Sequence, residues 1–215
     1  MILLTKNNKV SRFFVNYGGI ENSRKYISQH YGENTTLVAR KVLIMDDFSM
    51  RDLGEDANNC VLTGITRILS YYLNRSDEMV DSEIIYDLVK ENAVRKGYRR
   101  NKGLGFCRIS SVMKRCAEIY GIASRKTRSV YCIRIFKTIM KQIDMQNPLL
   151  MNISFGYYRD HTVTIAGYEI YEKKGRFWGK KRYPIVLVYD GWKKTLMGID
   201  YHKLRVPVSV TRISD

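Results

Sequence analysis

The apolar residues of this chain change their spacing at Pro148, and that change constrains the fold more than any other feature. Upstream, apolar residues recur every three or four positions, the period of a helix that buries one face. Val61, Leu62, Ile65, Ile68, Leu69 and Tyr72 follow this rule, and Asn58 or Asn59 supplies the N-cap side chain just before them. A second helix is expected over residues 82 to about 95, capped by Asp81, with Ile84, Ile85, Leu88 and Val89 facing inward. A third is expected over 111–120, stopped by Gly121. A fourth covers about 133–143, with Phe136, Ile139, Met140 and Ile143 on one side. Downstream of Pro148, the stretches 149–155, 161–171, 184–189 and 204–213 are rich in β-branched and aromatic residues and read as strands. Helices first and an antiparallel sheet second is the order of an α+β domain.

A chain of 215 residues is long enough for one well-buried domain and short for two. Residues 1–50 are polar and weakly periodic. They are expected to form an N-terminal segment or arm, with short apolar patches at 36–39 and 41–45 that form strands or lie over the domain as an arm, and residues 51–215 the single domain. Cys60, Cys107, Cys116 and Cys132 include no CxxC pair and no Cys/His spacing that suits zinc. Free thiols and a reducing compartment are expected, and no cofactor or metal is expected. The apolar start, Met1 to Leu4, falls short of the core of a secretory signal, which needs about 7–15 residues. A cytoplasmic location is therefore expected, or secretion if a leader precedes this sequence. No run approaches the roughly 18 apolar residues of a membrane span.

The charge is lopsided: 37 Lys and Arg against 21 Asp and Glu leave a net +16. Such a balance favours solubility and attraction to polyanions. The densest basic stretch is the loop with Arg95, Lys96, Arg99, Arg100 and Lys102 around Tyr98. It is a candidate polyanion contact, although most basic loops are simply solvated.

Three residues carry the candidate chemistry. Cys60 falls in the first turn of the first expected helix, where unpaired backbone N–H groups and the helix dipole stabilise a thiolate. The same N–H groups can receive the oxyanion of a tetrahedral intermediate. His161 stands where a turn, Gly156-Tyr157-Tyr158-Arg159-Asp160, meets a strand, a rigid place from which to aim an imidazole as base. His30 reads as surface, and His202 is a weaker second candidate. Asp190, at the end of a strand, can accept the imidazole N–H through its side chain, and the adjacent Trp192 can shield that bond from water. Each residue also has a plainer explanation. Cys60 can be a small buried hydrophobe, His161 a strand cap, Asp190-Gly191 a hairpin turn, and Trp192 a core residue.

In combination these residues resemble the papain-like cysteine peptidases, in particular the bacterial group related to bacteriocin-leader-processing peptidases. The resemblance lies in three blocks: residues 58–72 around Cys60, 161–168 from His161, and 185–192 ending in Asp190-Gly191-Trp192. It spans about residues 50–205. The separation of Cys60 from His161 is shorter than the roughly 130–150 residues of papain and the cathepsins. The resemblance implies a lobe of helices beside a lobe of antiparallel sheet with a cleft between. It also implies that Cys60 forms a thioester, His161 shuttles the proton and Asp190 orients His161. The family places a glutamine a few residues before the cysteine as oxyanion donor, but this chain has Gly54, then Glu55 and Asp56. Asn58 or Asn59, with the Cys60 N–H, is the expected substitute.

The expected activity is hydrolysis of an amide bond in a peptide or a peptidoglycan-type crosslink. Two alternatives use the same features: an acyltransferase or transglutaminase-like enzyme on the same triad, and a catalytically degenerate basic binding module. The stretch 169–183, with Phe177-Trp178 near its middle, reads as a hairpin that serves as a substrate flap or a contact surface. The oligomeric state is not legible in the sequence.

Overall fold

In the computed structural model, which describes residues 16–122, 126–131, 134–175, 179–204 and 208–214, helices and an antiparallel sheet form a mixed α+β body. In chain order the elements are α1 (Ser23–Tyr31), β1 (Thr35–Val42), α2 (Met50–Leu53), α3 (Cys60–Asn74), α4 (Ser82–Arg95), α5 (Ile109–Ile119), β2 (Lys126–Tyr131) and α6 (Ile135–Asp144), followed by β3 (Leu149–Ile153), β4 (His161–Lys174), β5 (Lys180–Tyr189), β6 (Met197–Asp200) and β7 (Val208–Ser214). A 3-10 turn at Phe106–Arg108 leads into α5.

The sheet runs β2–β7–β3–β4–β5–β6, every pair antiparallel. β4 organises it. β3 pairs with the His161–Ile165 end, β1 with the stretch from Gly167 to Lys173, and β5 with most of its length. β4 is buried over all but its last two residues, which fits a strand covered on both faces.

The apolar period over 61–72 does make a helix, but α3 is buried all round rather than on one face. Its polar residues Thr63, Thr66, Arg67 and Ser70 are as enclosed as its Leu and Ile. Arg67 is 1% exposed: Nε donates to the Asp46 carbonyl at 3.0 Å, Nη2 donates to the Phe48 carbonyl, and the guanidinium lies between the Phe48 and Tyr189 rings. Burial pulls this guanidinium down to about 10, still charged at neutral pH. α3 also sits close to the sheet at Gly64, where a Cβ would lie 2.6 Å from Leu150 Cδ2 and 3.2 Å from Thr164 Oγ1.

α4 begins and ends as expected, and the Asp81 carboxylate accepts from the Glu83 N–H at 2.9 Å. Its inward face differs: Ile85, Tyr86 and Val89 are buried, whereas Ile84 points to solvent at 61% exposure. α5 starts two residues early, and Gly121 follows it with a positive φ of 67°. α6 carries Ile135, Ile139 and Ile143 into the core, with Phe136 and Met140 packed partly buried against it.

Of the two readings of the N-terminal patches the strand holds over 35–42: β1 is hydrogen-bonded into the sheet, and Tyr17, Leu43 and Met45 belong to the main core. Two further strands correct the expected sheet. β2 was not expected, because an edge strand reading Lys-Thr-Arg-Ser-Val-Tyr lacks the apolar run of a central one. β6 was missed because its four residues, Met-Gly-Ile-Asp, are too few to show alternation. Cys132 and the Phe177-Trp178 pair lie outside the described residues. No helix among the described residues is long and apolar enough to cross a membrane.

Candidate active site

Cys60 is the first residue of α3, and His161 is the first residue of β4. α3 packs along β3 and β4, which brings the two together although they are distant in sequence. The chain turns sharply into β4 because Asp160, one of the few residue types that tolerate it, adopts a left-handed φ of 50°.

The Cys60 thiol is under the influence of His161 and of the backbone N–H groups of Thr162 and Val61. Burial alone would raise its pKa. The hydrogen bond and charge of His161, with the two N–H groups, outweigh burial and hold the thiol below the ordinary cysteine range. His161 shows the mirror effect. Burial disfavours the imidazolium, but Cys60 and the Asp190 carbonyl hold the ring above the usual histidine range. The two groups titrate as a pair, with thiolate and imidazolium supporting one another.

His161 Nε2 lies 2.7 Å from the main-chain carbonyl of Asp190. A carbonyl only accepts, so Nε2 carries the proton, and Nδ1 is the nitrogen left for the thiol. This corrects the expectation for Asp190: the residue does orient His161, but through its backbone and not its carboxylate. The carboxylate is committed elsewhere. Oδ1 accepts from the N–H groups of Trp192 and Lys193 at 2.9 and 3.0 Å, and Oδ2 accepts from the Tyr158 hydroxyl at 3.2 Å. The turn reading of Asp190-Gly191 thus coexists with the orienting role. Gly191 has a φ of 78°, and a Cβ there would strike Met50 Cγ at 2.9 Å.

Trp192 is not a core residue. It is 50% exposed and stacks on the His161 ring with centroids 4.5 Å apart. Tyr158 lies nearly parallel to His161 at 5.9 Å and is fully buried. Sequence reasoning passed over Tyr158, although an aromatic pair in an otherwise polar turn before His161 was a usable signal. It also passed over Tyr17, whose hydroxyl donates to the Phe155 carbonyl at 2.5 Å and accepts from the Tyr158 N–H at 3.3 Å. Residues 16–20 thereby brace the turn that leads to His161.

Neither expected side-chain oxyanion donor serves that purpose. Asn59 is fully buried, and its amide donates to the Met50 carbonyl at 3.1 Å and the Tyr86 hydroxyl at 3.2 Å. It holds the N-cap position of α3 but makes no side-chain capping bond. Asn58 donates to the Arg100 carbonyl at 3.2 Å. At Gly54 a Cβ would lie 2.9 Å from the Tyr86 hydroxyl, so Tyr86 fills the space a longer side chain would enter. The Cys60 amide remains, one of the first-turn N–H groups with no acceptor inside the helix.

The other histidines are elsewhere. His30 is exposed and bonds the Tyr26 carbonyl through Nδ1 at 2.9 Å. His202 is exposed and sets its ring edge-on to Tyr31 and Tyr183. Cys107 is exposed, and Cys116 is buried, which pushes its thiol up to about 12. In the basic loop, Tyr98 is buried with its hydroxyl 3.2 Å from Asp56, and Arg100 and Lys90 pair with the same carboxylate at 2.6 and 3.2 Å. Part of the loop's charge is therefore spent on holding it against the segment before Cys60.

A cleft of about 490 Å³ opens beside His161. One wall comes from residues 102–109, and the other from the ends of β3, β4 and β7. A second cleft of about 560 Å³, near α1 and β1, is larger but contains none of these residues.

No family model matches this chain. No curated protein matches it either.

Proposed function

We propose that this protein is a papain-like cysteine hydrolase that cleaves an amide bond in a peptide or a peptidoglycan-type crosslink. The observation that carries this reading is the pair itself: a thiol at a helix start whose pKa is drawn down by His161, an imidazole whose Nε2 is fixed on a carbonyl. A cleft between the 102–109 segment and the ends of three strands supports it, as do the three sequence blocks that resemble the family.

In this mechanism the Cys60 thiolate attacks the substrate carbonyl carbon and a C–S bond forms. The oxyanion is received by the Cys60 amide. His161 Nδ1–H protonates the departing amine as the C–N bond breaks, which leaves a thioester. Water then attacks the thioester while Nδ1 takes its proton. The C–S bond breaks and the acid departs. The Asp190 carbonyl holds Nε2–H throughout, and Trp192 keeps water off that bond. With a single main-chain donor in place of a donor pair, turnover is expected to be slow, since one oxyanion donor is worth about 10²–10³ in rate.

The test is amide hydrolysis and Cys60 alkylation in wild type and His161→Ala. Loss of both in the variant supports the reading, and full amidase activity in the variant contradicts it.

A further inference from the structure

A row of polar residues crosses the floor of the cleft beside His161, next to Ile153 and Val208. Thr162 on β4 pairs in register with Asn152 on β3, Asn152 with Ser209 on β7, and Ser209 with Tyr131 on β2. All four line the cleft. With strands about 4.8 Å apart, the row runs roughly 14 Å outward from the histidine.

The row has a direction. The Thr162 hydroxyl donates to Asn152 Oδ1 at 2.7 Å, and Asn152 Nδ2 donates to Ser209 Oγ at 3.0 Å. Asn152 Oδ1 is thereby used, while its second N–H and the Ser209 O–H have no acceptor among the described residues. The floor therefore offers donors to whatever enters. The opposite wall is apolar, with Leu104, Phe106 and Ile109, and Phe106 meets Tyr131 edge-to-face at 6.4 Å. Lys102 supplies a cation, and Asp160, the one carboxylate among the described lining residues, is paired with Arg159 at 3.4 Å. An apolar wall suits methylenes, a donor floor suits an acceptor oxygen at their end, and the lysine suits that oxygen being anionic.

We propose that this cleft selects a substrate side chain of the glutamate or glutamine type next to the scissile bond, with Asn152 and Ser209 as the specificity-determining residues. The proposal rests on the hydrolase reading for its role, but its test does not depend on turnover.

The Cys60→Ala protein would be titrated with fluorescein-labelled alanine-glycine hexapeptides that carry one Glu, Gln, Leu or Lys on either side of the central amide, read by fluorescence polarisation. The Glu and Gln peptides are expected to bind about tenfold tighter than the Leu and Lys peptides, the order expected for a satisfied buried hydrogen bond. Ser209→Ala and Asn152→Leu, each in the Cys60→Ala background, should remove that preference. Lys102→Met should weaken the Glu peptide and leave the Gln peptide unchanged. Equal binding of the Leu or Lys peptides, or a preference that survives both floor substitutions, overturns the proposal. Preference without hydrolysis by the wild-type protein keeps the pocket and removes the hydrolase reading, whereas hydrolysis without preference does the reverse.

Discussion

His161 is held by the main chain of Asp190: Nε2 lies 2.7 Å from the carbonyl, while the carboxylate of the same residue closes a turn and meets Tyr158. One residue thus serves two purposes, and they can be separated by substitution.

Asp190→Asn keeps the carbonyl and keeps an oxygen for the Trp192 and Lys193 amides. Its Cys60 alkylation rate at pH 6 should stay within about tenfold of wild type, because the orienting acceptor is untouched. A carboxylate acting directly on the imidazole would be worth about 10⁴ by analogy with serine-protease triads. A loss of that size would mean that the side chain, not the carbonyl, orients His161.

The reactivity of Cys60 should depend on pH in a way that names its partner. Its thiol is depressed, so the thiolate persists as pH falls below the ordinary cysteine value near 8.5 and disappears only on passing the lowered one. His161 is raised, so the imidazolium persists above the ordinary histidine value. Between these limits the ion pair is populated. In His161→Ala, burial acts on Cys60 without its main counterweight. The alkylation midpoint should therefore move up, and a midpoint that stays put would assign the depression to the helix start alone.

Gly64 sets how closely α3 approaches the sheet. A methyl group there meets the fully buried Leu150 at 2.6 Å and Thr164 at 3.2 Å, so Gly64→Ala must push the helix outward or repack Leu150. Despite the better helix propensity of alanine, the substitution should cost about 1–3 kcal/mol in urea unfolding. It should also slow Cys60 alkylation, because the displaced helix carries the thiol away from His161.

Arg67→Ala removes a buried guanidinium that serves two carbonyls and stacks between two rings. The Asp46 and Phe48 carbonyls lose their donor. A loss of about 3 kcal/mol or more is expected by urea unfolding, larger than that of a typical surface substitution.

The parts of this molecule that the sequence made legible are those where local pattern and tertiary role agree. The Asp81 cap, the glycine stop at Gly121 and the strand runs after Pro148 are of this kind. Cys60 and His161 were legible because a helix start and a turn-to-strand junction are both visible in residue types. The misses are tertiary. Nothing in the period of α3 reveals that a helix with Arg67 and Ser70 on its polar side is enclosed on every side. Nothing in Asp190 reveals whether its carbonyl or its carboxylate meets a ring on another strand. By residue type the Asn59 amide suits a cap or an oxyanion donor, but it donates to the Met50 carbonyl and the Tyr86 hydroxyl. The polar floor of the cleft exists only through strand register, which brings Thr162, Asn152 and Ser209 side by side from distant parts of the chain.

The most direct test of the central claim is limiting iodoacetamide labelling at pH 6 with all four cysteines mapped by mass spectrometry, in wild type and His161→Ala. The predicted result is selective labelling of Cys60, ahead of exposed Cys107 and buried Cys116, and its loss in the variant. Indifferent labelling, unchanged by the substitution, would contradict an activated Cys60–His161 pair.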